Sequence, residues 1–232
     1  MEKNIIITLE GVKKHFPIGG GRFTALNGID LAFGEGEFAG FVGPSGSGKT
    51  TLLNIIGSLD TPSEGKVLVL DNNIGKLTAK KAAMLRRKKL GFIFQTYNLL
   101  PVYTVFENVE FPLLLFNMNS SGRKKAVLDA LEWVGLTDKI KSRPAQLSGG
   151  ECQRVAIARA MVKRPVVVLA DEPTANLDSE NSHHILQTME NLNKDLQTTF
   201  IFATHDDKVI KYLKRKILLQ DGKVTADKII TN

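Results

Sequence analysis

One cysteine and four histidines among 232 residues leave little from which to build a disulfide or a metal cage. Cys152 has no partner in the chain, which excludes internal disulfides and cysteine-rich zinc sites and fits a reducing compartment. His183 and His184 are sequence neighbours that point to different sides of a helix, and His15 and His205 lie far from them, so no histidine metal site is expected. Long apolar runs are also missing. The most apolar stretch, Phe111 to Phe116, contains Pro112 and falls far short of the roughly 18 residues that span a bilayer. The start, Met1-Glu2-Lys3-Asn4, has neither the long apolar region nor the small-residue cleavage site of a secretory signal. The chain is therefore expected to stay in the cytoplasm and to reach a membrane only through a partner. What is present is a core: 43% apolar residues exclude disorder and suit one domain, or one domain with an inserted subdomain. Thirty-one Lys and Arg against 24 Asp and Glu give a net charge of +7, which fits work near phosphates, nucleic acid or an anionic membrane without choosing among them.

Hydrophobic patterning orders the chain. Ile5 to Leu9 and Ile29 to Phe33 read as half-buried antiparallel strands on either side of the turn Gly19-Gly20-Gly21. A strand at Phe38 to Val42 runs into a glycine-rich loop, after which Leu52, Ile55, Ile56 and Leu59 recur at helical spacing. Leu90 to Phe94, Val166 to Ala170 and Thr199 to Ala203 have the length and composition of strands buried on both faces, as in a parallel sheet. Between the first two of these, about 96–162, the patterns are helical, with Ala126, Leu128, Leu131, Val134 and Leu136 as one predicted face. Asp221-Gly222 between two apolar runs predicts a closing hairpin. Lys80 to Lys89 holds six basic residues in ten but no aromatic to stack a base, and is expected to be a solvated helix face.

Three motifs carry chemistry. Gly43-Pro44-Ser45-Gly46-Ser47-Gly48-Lys49-Thr50, followed by Thr51, has the form G-x-x-x-x-G-K-[ST] between strand and helix. Its glycines let backbone N–H groups curl around phosphate oxygens, Lys49 reaches the β and γ phosphates, and the Thr50 hydroxyl suits Mg²⁺, which needs few protein ligands. Nucleotide binding follows. Val167 to Glu172 is a buried strand ending in paired carboxylates that point to opposite sides of an extended strand end. Asp171 suits holding Mg²⁺ through water and Glu172 suits polarising an attacking water, although two acids before Pro173 also serve to cap a strand. In Leu147-Ser148-Gly149-Gly150-Glu151, Ser148 and Glu151 form a capping box, and the two glycines strip side chains from a helix N-terminus, which favours anions. A chain with one phosphate loop thus has a second helix end suited to phosphate.

With these residues, the chain resembles the ATP-binding cassette (ABC) ATPases over essentially its whole length. The resemblance rests on the phosphate loop, Gln95 after a strand, the signature Leu147 to Glu151 continuing to Ala160, Asp171-Glu172, Ala175-Asn176-Leu177-Asp178, and His205 after the last apolar strand. It implies an α/β P-loop NTPase core with a mostly parallel sheet, an N-terminal antiparallel β subdomain and an inserted helical subdomain, one domain over 1–232. It implies ATP hydrolysis with Mg²⁺ held by Thr50, Gln95 and Asp171, and catalysis by Glu172, His205 and Gln95. His205 would hydrogen-bond the γ-phosphate, and Phe16 would stack on adenine, where a core phenylalanine is the alternative. It also implies a head-to-tail homodimer bridged by ATP, with Ser148, Gly149 and Gly150 of one protomer on the partner's γ-phosphate and Asp178 against the partner's phosphate loop. The partner in work would be an integral membrane permease, with the ATPase peripheral on the cytoplasmic side, no nucleic acid, and no insertion of its own into the bilayer. Cys152 and Ala175 depart from the family's usual residues.

Phe94 to Pro101 with Thr104 to Val109 resembles the branch of lipoprotein-release, macrolide-export and antimicrobial-peptide-resistance ATPases, implying export or extrusion of lipoproteins or peptides. Amino-acid importers and the cell-division ATPase share much of this pattern. The 27 residues after His205 leave no room for the regulatory domain of sugar importers. A soluble ABC ATPase acting on ribosomes or DNA would suit the basic charge, but such relatives usually carry two cassettes or a long coiled-coil insertion. A small-molecule kinase leaves the signature and Asp178 unexplained. Tyr97, Leu99, Leu100, Val102, Tyr103 and Phe106 gather around Pro101 and are expected to divide about equally between a small helical core and an exposed partner groove.

Overall fold

The structure, a computed structural model, describes residues 4–230; the leader reading at Met1 to Lys3 lies outside them. Two sheets organise the chain. β1 (Ile5–Ile18) and β2 (Gly21–Gly34) form an antiparallel ribbon joined through Gly19-Gly20. β3 (Phe38–Val42) leads through the glycine-rich loop to α1 (Lys49–Ile56). β4 (Glu64–Val69) and β5 (Asn72–Asn73) return beside β1, giving the order β2-β1-β4-β5. Next come α2 (Ala79–Lys89), β6 (Leu90–Ile93), α3 (Val105–Glu110), α4 (Ser120–Trp133), α5 (Gly149–Met161), β7 (Val167–Asp171) and α6 (Ser179–Leu196). β8 (Thr199–Thr204), α7 (Asp207–Tyr212), β9 (Arg215–Gln220) and β10 (Lys223–Ile229) complete the second sheet, ordered β10-β9-β3-β8-β7-β6. All its pairings are parallel except the β9–β10 hairpin.

Strand alternation divides the core in two. Along β7 and β8, Val168, Ala170, Phe200 and Phe202 face a cluster with α3 to α6. Val167, Leu169, Ile201 and Ala203 face the other side, where α1 and the antiparallel sheet cover them. Successive side chains on a strand point to opposite faces, so a strand covered on both sides must be apolar throughout. This explains why these strands were readable from short apolar runs.

Several elements differ from the sequence reading. β1 and β2 run 14 residues each because strand pairing continues past the apolar runs through positions of mixed polarity and exposure, accommodated by register shifts near Gly11 and Lys14. β4 and β5 were not anticipated, although Val67 and Val69 alternate onto the core. Leu59 lies beyond α1, which stops at Gly57, and is exposed. On α4 the buried residues are Val127, Ala130 and Leu131, so Leu128 falls off the predicted face. The lysines of α2 are exposed, as expected of a solvated face. Asp221 and Gly222 both take positive φ, the conformation of a tight two-residue hairpin turn.

Arg215 joins the two sheets. Its guanidinium donates twice to Asp227 on β10, at 2.9 and 2.6 Å, and also to Glu37, at 2.9 Å, and to the Ala32 carbonyl of β2, at 2.7 Å. The plane lies 5.0 Å from the Phe33 ring centroid. The hydrogen bonds that Arg215 donates to Asp227, with those to Glu37 and its charge, raise the guanidinium pKa against the opposing effect of burial. Removing one member of such a network leaves the other charges poorly solvated. Arg215→Ala is therefore expected to lower unfolding free energy by about 3 kcal/mol, read by urea denaturation.

Candidate functional site

Parallel strands expose their carboxyl ends on one edge, and here four neighbours deliver chemistry to it. β3 ends in the phosphate loop, β8 in His205, β7 in Asp171 and Glu172, and β6 leads to Gln95. Together with Phe16 they line a cleft of about 480 Å³. Ser45, Gly46, Gly48, Lys49, Thr50 and Thr51 form its floor. Gly46 and Gly48 sit at φ of +80° and +102°, and α1 begins at Gly48 without a side-chain cap, so its first N–H groups remain available to an anion.

The loop is wedged in place by backbone. A Cβ on Gly43 would fall 2.1 Å from the Leu219 carbonyl oxygen, and the Gly222 N–H donates to the Ser47 carbonyl at 3.1 Å. Gly43, Pro44 and Ser47 do not line the cleft but hold it from beneath. Lys49 Nζ donates to the Gly43 and Pro44 carbonyls at 2.7 and 2.8 Å. Burial lowers the Lys49 pKa, opposed by the charges of Glu172 and Asp171. The Ser47 hydroxyl is buried with no hydrogen-bond partner among the described residues.

Opposite the loop, Asp171 Oδ1 accepts from the Thr50 hydroxyl at 3.2 Å. Burial raises the Asp171 pKa, the Thr50 hydrogen bond lowers it, and Glu172 adds a further upward push. Glu172 does not continue the extended strand, as the sequence reading assumed; its φ is +44°. The carboxylates are nonetheless separated. Glu172 accepts from the Thr204 hydroxyl at 3.1 Å, and its Oε1 lies 2.6 Å from His205 Nδ1. The His205 ring is 65% exposed and open to the cleft. Thr50, Asp171 and Gln95 offer an oxygen donor set that fits Mg²⁺, a hard cation that keeps several waters. No group of three or more His, Cys, Asp or Glu is placed to cage a metal among the described residues.

Phe16 is exposed in the cleft rather than part of the core, and the Lys14 ammonium stands 5.1 Å from its ring centroid. Phe23 and Ala25 also line the cleft and were missed by the sequence reading. Phe23 pairs directly with Phe16 across the ribbon, so counting register back from the glycine turn is the signal that finds it.

Ser148, Gly149, Gly150 and Asp178 do not reach this cleft in their own chain. Ser148 closes the capping box of α5: its hydroxyl accepts from the Glu151 N–H at 3.2 Å, and its own N–H donates to Glu151 at 2.7 Å. A Cβ on Gly150 would meet Asn181 Oδ1 at 2.4 Å, so this glycine also permits close packing on α6. Asp178 caps α6 by accepting from the Asn181 N–H at 2.8 Å, and hydrogen bonds from Asn181 hold its pKa down. Beyond Gln95, none of the six residues around Pro101 is fully buried. Leu99 and Phe106 pack partly against the helical core, while Val102 and Tyr103 are 72% and 37% exposed. The even division expected between core and groove is replaced by four half-buried residues and two exposed ones.

A phosphate loop beside a carboxylate-tipped parallel strand defines the P-loop nucleotide hydrolases. Residues 26–175 match the ABC transporter family. The chain is 43% identical over 222 residues to the lipoprotein-releasing system ATP-binding protein LolD of Pseudoalteromonas translucida (strain TAC 125), covering 96% of both chains. LolD of Legionella pneumophila (strain Lens) is 42% identical over 223 residues, covering 96% of this chain and 98% of the relative. Among solved structures, a dimeric post-hydrolysis state of the ATP-binding cassette MJ0796 bound to ADP and Pi superposes with a TM-score of 0.90 at 40% identity, covering 98% of this chain and 100% of that one. The chain belongs to the ABC transporter family. It is an ATPase of that family, with ATP and Mg²⁺ as its cofactors.

The fit of Gly43 against Leu219 makes a direct prediction. Gly43→Ala forces backbone apart at the root of the loop, a steric cost of about 1–3 kcal/mol. ATP affinity is expected to fall at least about tenfold, measured by fluorescent-nucleotide titration, with melting temperature as the check on folding.

Proposed function

We propose that two copies of this chain close head to tail around ATP and use that closure, and its reversal on hydrolysis, to work a membrane permease. The observation that carries this reading is the position of Ser148, Gly149 and Gly150: an anion-seeking helix start, capped and outside its own nucleotide cleft. A second copy turned head to tail gives it a γ-phosphate to bind and brings Asp178 to the partner's phosphate loop. MJ0796, 40% identical to this chain, forms a dimer, which supports an assembly of two copies.

Within each cleft, the proposed roles follow the geometry. Phe16 stacks on the adenine. Ser45 to Thr51 wrap the phosphates, with Gly43 and Pro44 holding Lys49 and Ser47 bracing the loop. Thr50, Asp171 and Gln95 would hold Mg²⁺, which would supply charge neutralisation to the phosphates. Glu172 takes the proton of the attacking water, and His205, against the same carboxylate, turns toward the γ-phosphate. Gln95 stands between this chemistry and the helical segment, and its backbone carbonyl accepts from Asn176 Nδ2 at 2.9 Å. Glu172→Gln removes the proton acceptor while leaving the phosphate and Mg²⁺ contacts. Turnover is expected to fall by about 10²-fold or more, and size-exclusion chromatography with ATP and Mg²⁺ should show a trapped dimer. Near-normal turnover would remove Glu172 from its role.

The chain is read as one domain, 1–232, with the helical subdomain of about 96–162 inserted in the P-loop core, lying at the cytoplasmic face of the membrane. The two LolD relatives, each matched across 96% of this chain, favour lipoproteins as the cargo moved by the partner permease. Force leaves through the loop after Gln95. Buried Asn108 braces this loop by donating to the Leu100, Tyr103 and Thr104 carbonyls and accepting from the Leu100 N–H. Outside it, Val102, Tyr103, Phe111, Leu114 and Leu115 are exposed apolar residues suited to a permease's cytoplasmic helix. Tyr103→Asp is expected to preserve basal ATPase within about twofold while abolishing co-purification with the membrane protein encoded beside it. A complex that assembles and transports normally with this residue changed places docking elsewhere.

A further inference from the structure

Gln153 has no part in the roles assigned above, yet it touches the segment that aims the proposed base. It lies on α5, fully buried, and its Nε2 donates to the Pro173 carbonyl at 2.6 Å. The carbonyl can only accept, so the amide nitrogen must face it, and Oε1 is left without a partner among the described residues. Pro173 follows Glu172 directly, and as a proline it presents a carbonyl but no N–H by which the turn could be held.

Glu172 needs holding. Its φ of +44° lies in a region that residues with side chains seldom occupy, and such a conformation persists where the surroundings over-determine it. The Glu172 N–H donates to Ala203 of β8 at 2.9 Å, and its carbonyl accepts from Ala175 within the turn at 3.2 Å. Thr174, next along, is tied to Asp206 at 2.9 Å. Gln153 adds the anchor that comes from a different layer, the helix that starts at Ser148.

We propose that Gln153 is a positioning residue that fixes the Glu172–Pro173 turn, and with it the aim of the Glu172 carboxylate, from the helix whose N-terminus serves the partner's nucleotide. This deepens the reading of Glu172 as the base and rests on it. Closure of the dimer loads α5 at Ser148, and the buried amide carries that load to the carboxylate of the same chain. Each ATP site then senses whether the other is engaged.

The test is a double-mutant cycle on the full chain. Gln153→Met keeps the side chain's length and removes the donor; Gln153→Asn keeps an amide but withdraws it by one methylene. Each is expected to lower kcat by about tenfold to a hundredfold through misplacement of the base, with KM for ATP within about twofold. In a Glu172→Gln background, single-turnover hydrolysis should fall no further, because the group being aimed is already disabled, and the ATP-trapped dimer should form as before. Should one substitution unfold the protein, as read by its melting temperature, the other decides. Normal kcat in the folded variant, a raised KM with kcat unchanged, or a full multiplicative loss in the Glu172→Gln background overturns the proposal. Glu172→Gln that turns over normally overturns the base reading and this proposal together, whereas an inactive Glu172→Gln with a fully active Gln153→Met overturns this proposal alone.

Discussion

The site depends on backbone approaching backbone without side chains between. At Gly43 the phosphate loop lies against the end of β9, at Gly48 it lies against β2, and the hairpin glycine Gly222 sits under both. A Cβ on Gly48 would stand 2.7 Å from the Ala25 carbonyl oxygen, and one on Gly222 would stand 2.6 Å from the same atom. Interiors packed this closely do not absorb an added methyl without displacing their neighbours. The contact also joins the two sheets, so the ribbon carrying Phe16 and the strands carrying Asp171 and His205 keep one fixed separation across the cleft.

Much of this was legible in the residues themselves. Strands buried on both faces announce themselves as short apolar runs, and the phosphate loop, the carboxylate pair and the Ser148–Glu151 capping box each use fixed spacings. What could not be read there was set by pairing or by tertiary approach. β1 and β2 extend through Lys13, His15 and Pro17 because ribbon pairing tolerates such residues where they reach solvent, while buried Lys14 is satisfied by Asp60 and the Thr61 carbonyl. β4 hides behind Gly65 and Lys66, with two buried valines for a signal. Phe23 becomes a cleft residue through cross-strand register alone. The left-handed backbone of Glu172 follows from neighbours distant in sequence, and Asn108 gains its role because a loop folds over it.

Charge in the cleft is arranged so that its groups do not neutralise one another prematurely. Asp171 and Glu172 are sequence neighbours, yet the turn at Glu172 sends one to Thr50 and the other to Thr204 and His205. Burial weakens the ionised form of both Lys49 and Asp171, and each is partly restored by the other's charge. A desolvated pocket with both signs present strengthens each interaction a phosphate would make there.

Lys49 gives this arrangement one more property. An ammonium carries three donors, and two are already committed to the carbonyls of Gly43 and Pro44. The third has no partner among the described residues, and the other two bonds fix the side chain in place. Capture of a triphosphate thus requires no search by the longest flexible side chain in the cleft, and the ordering entropy of that side chain is spent during folding. Such a subunit resembles a set latch, its catch already positioned for the phosphate it is shaped to hold.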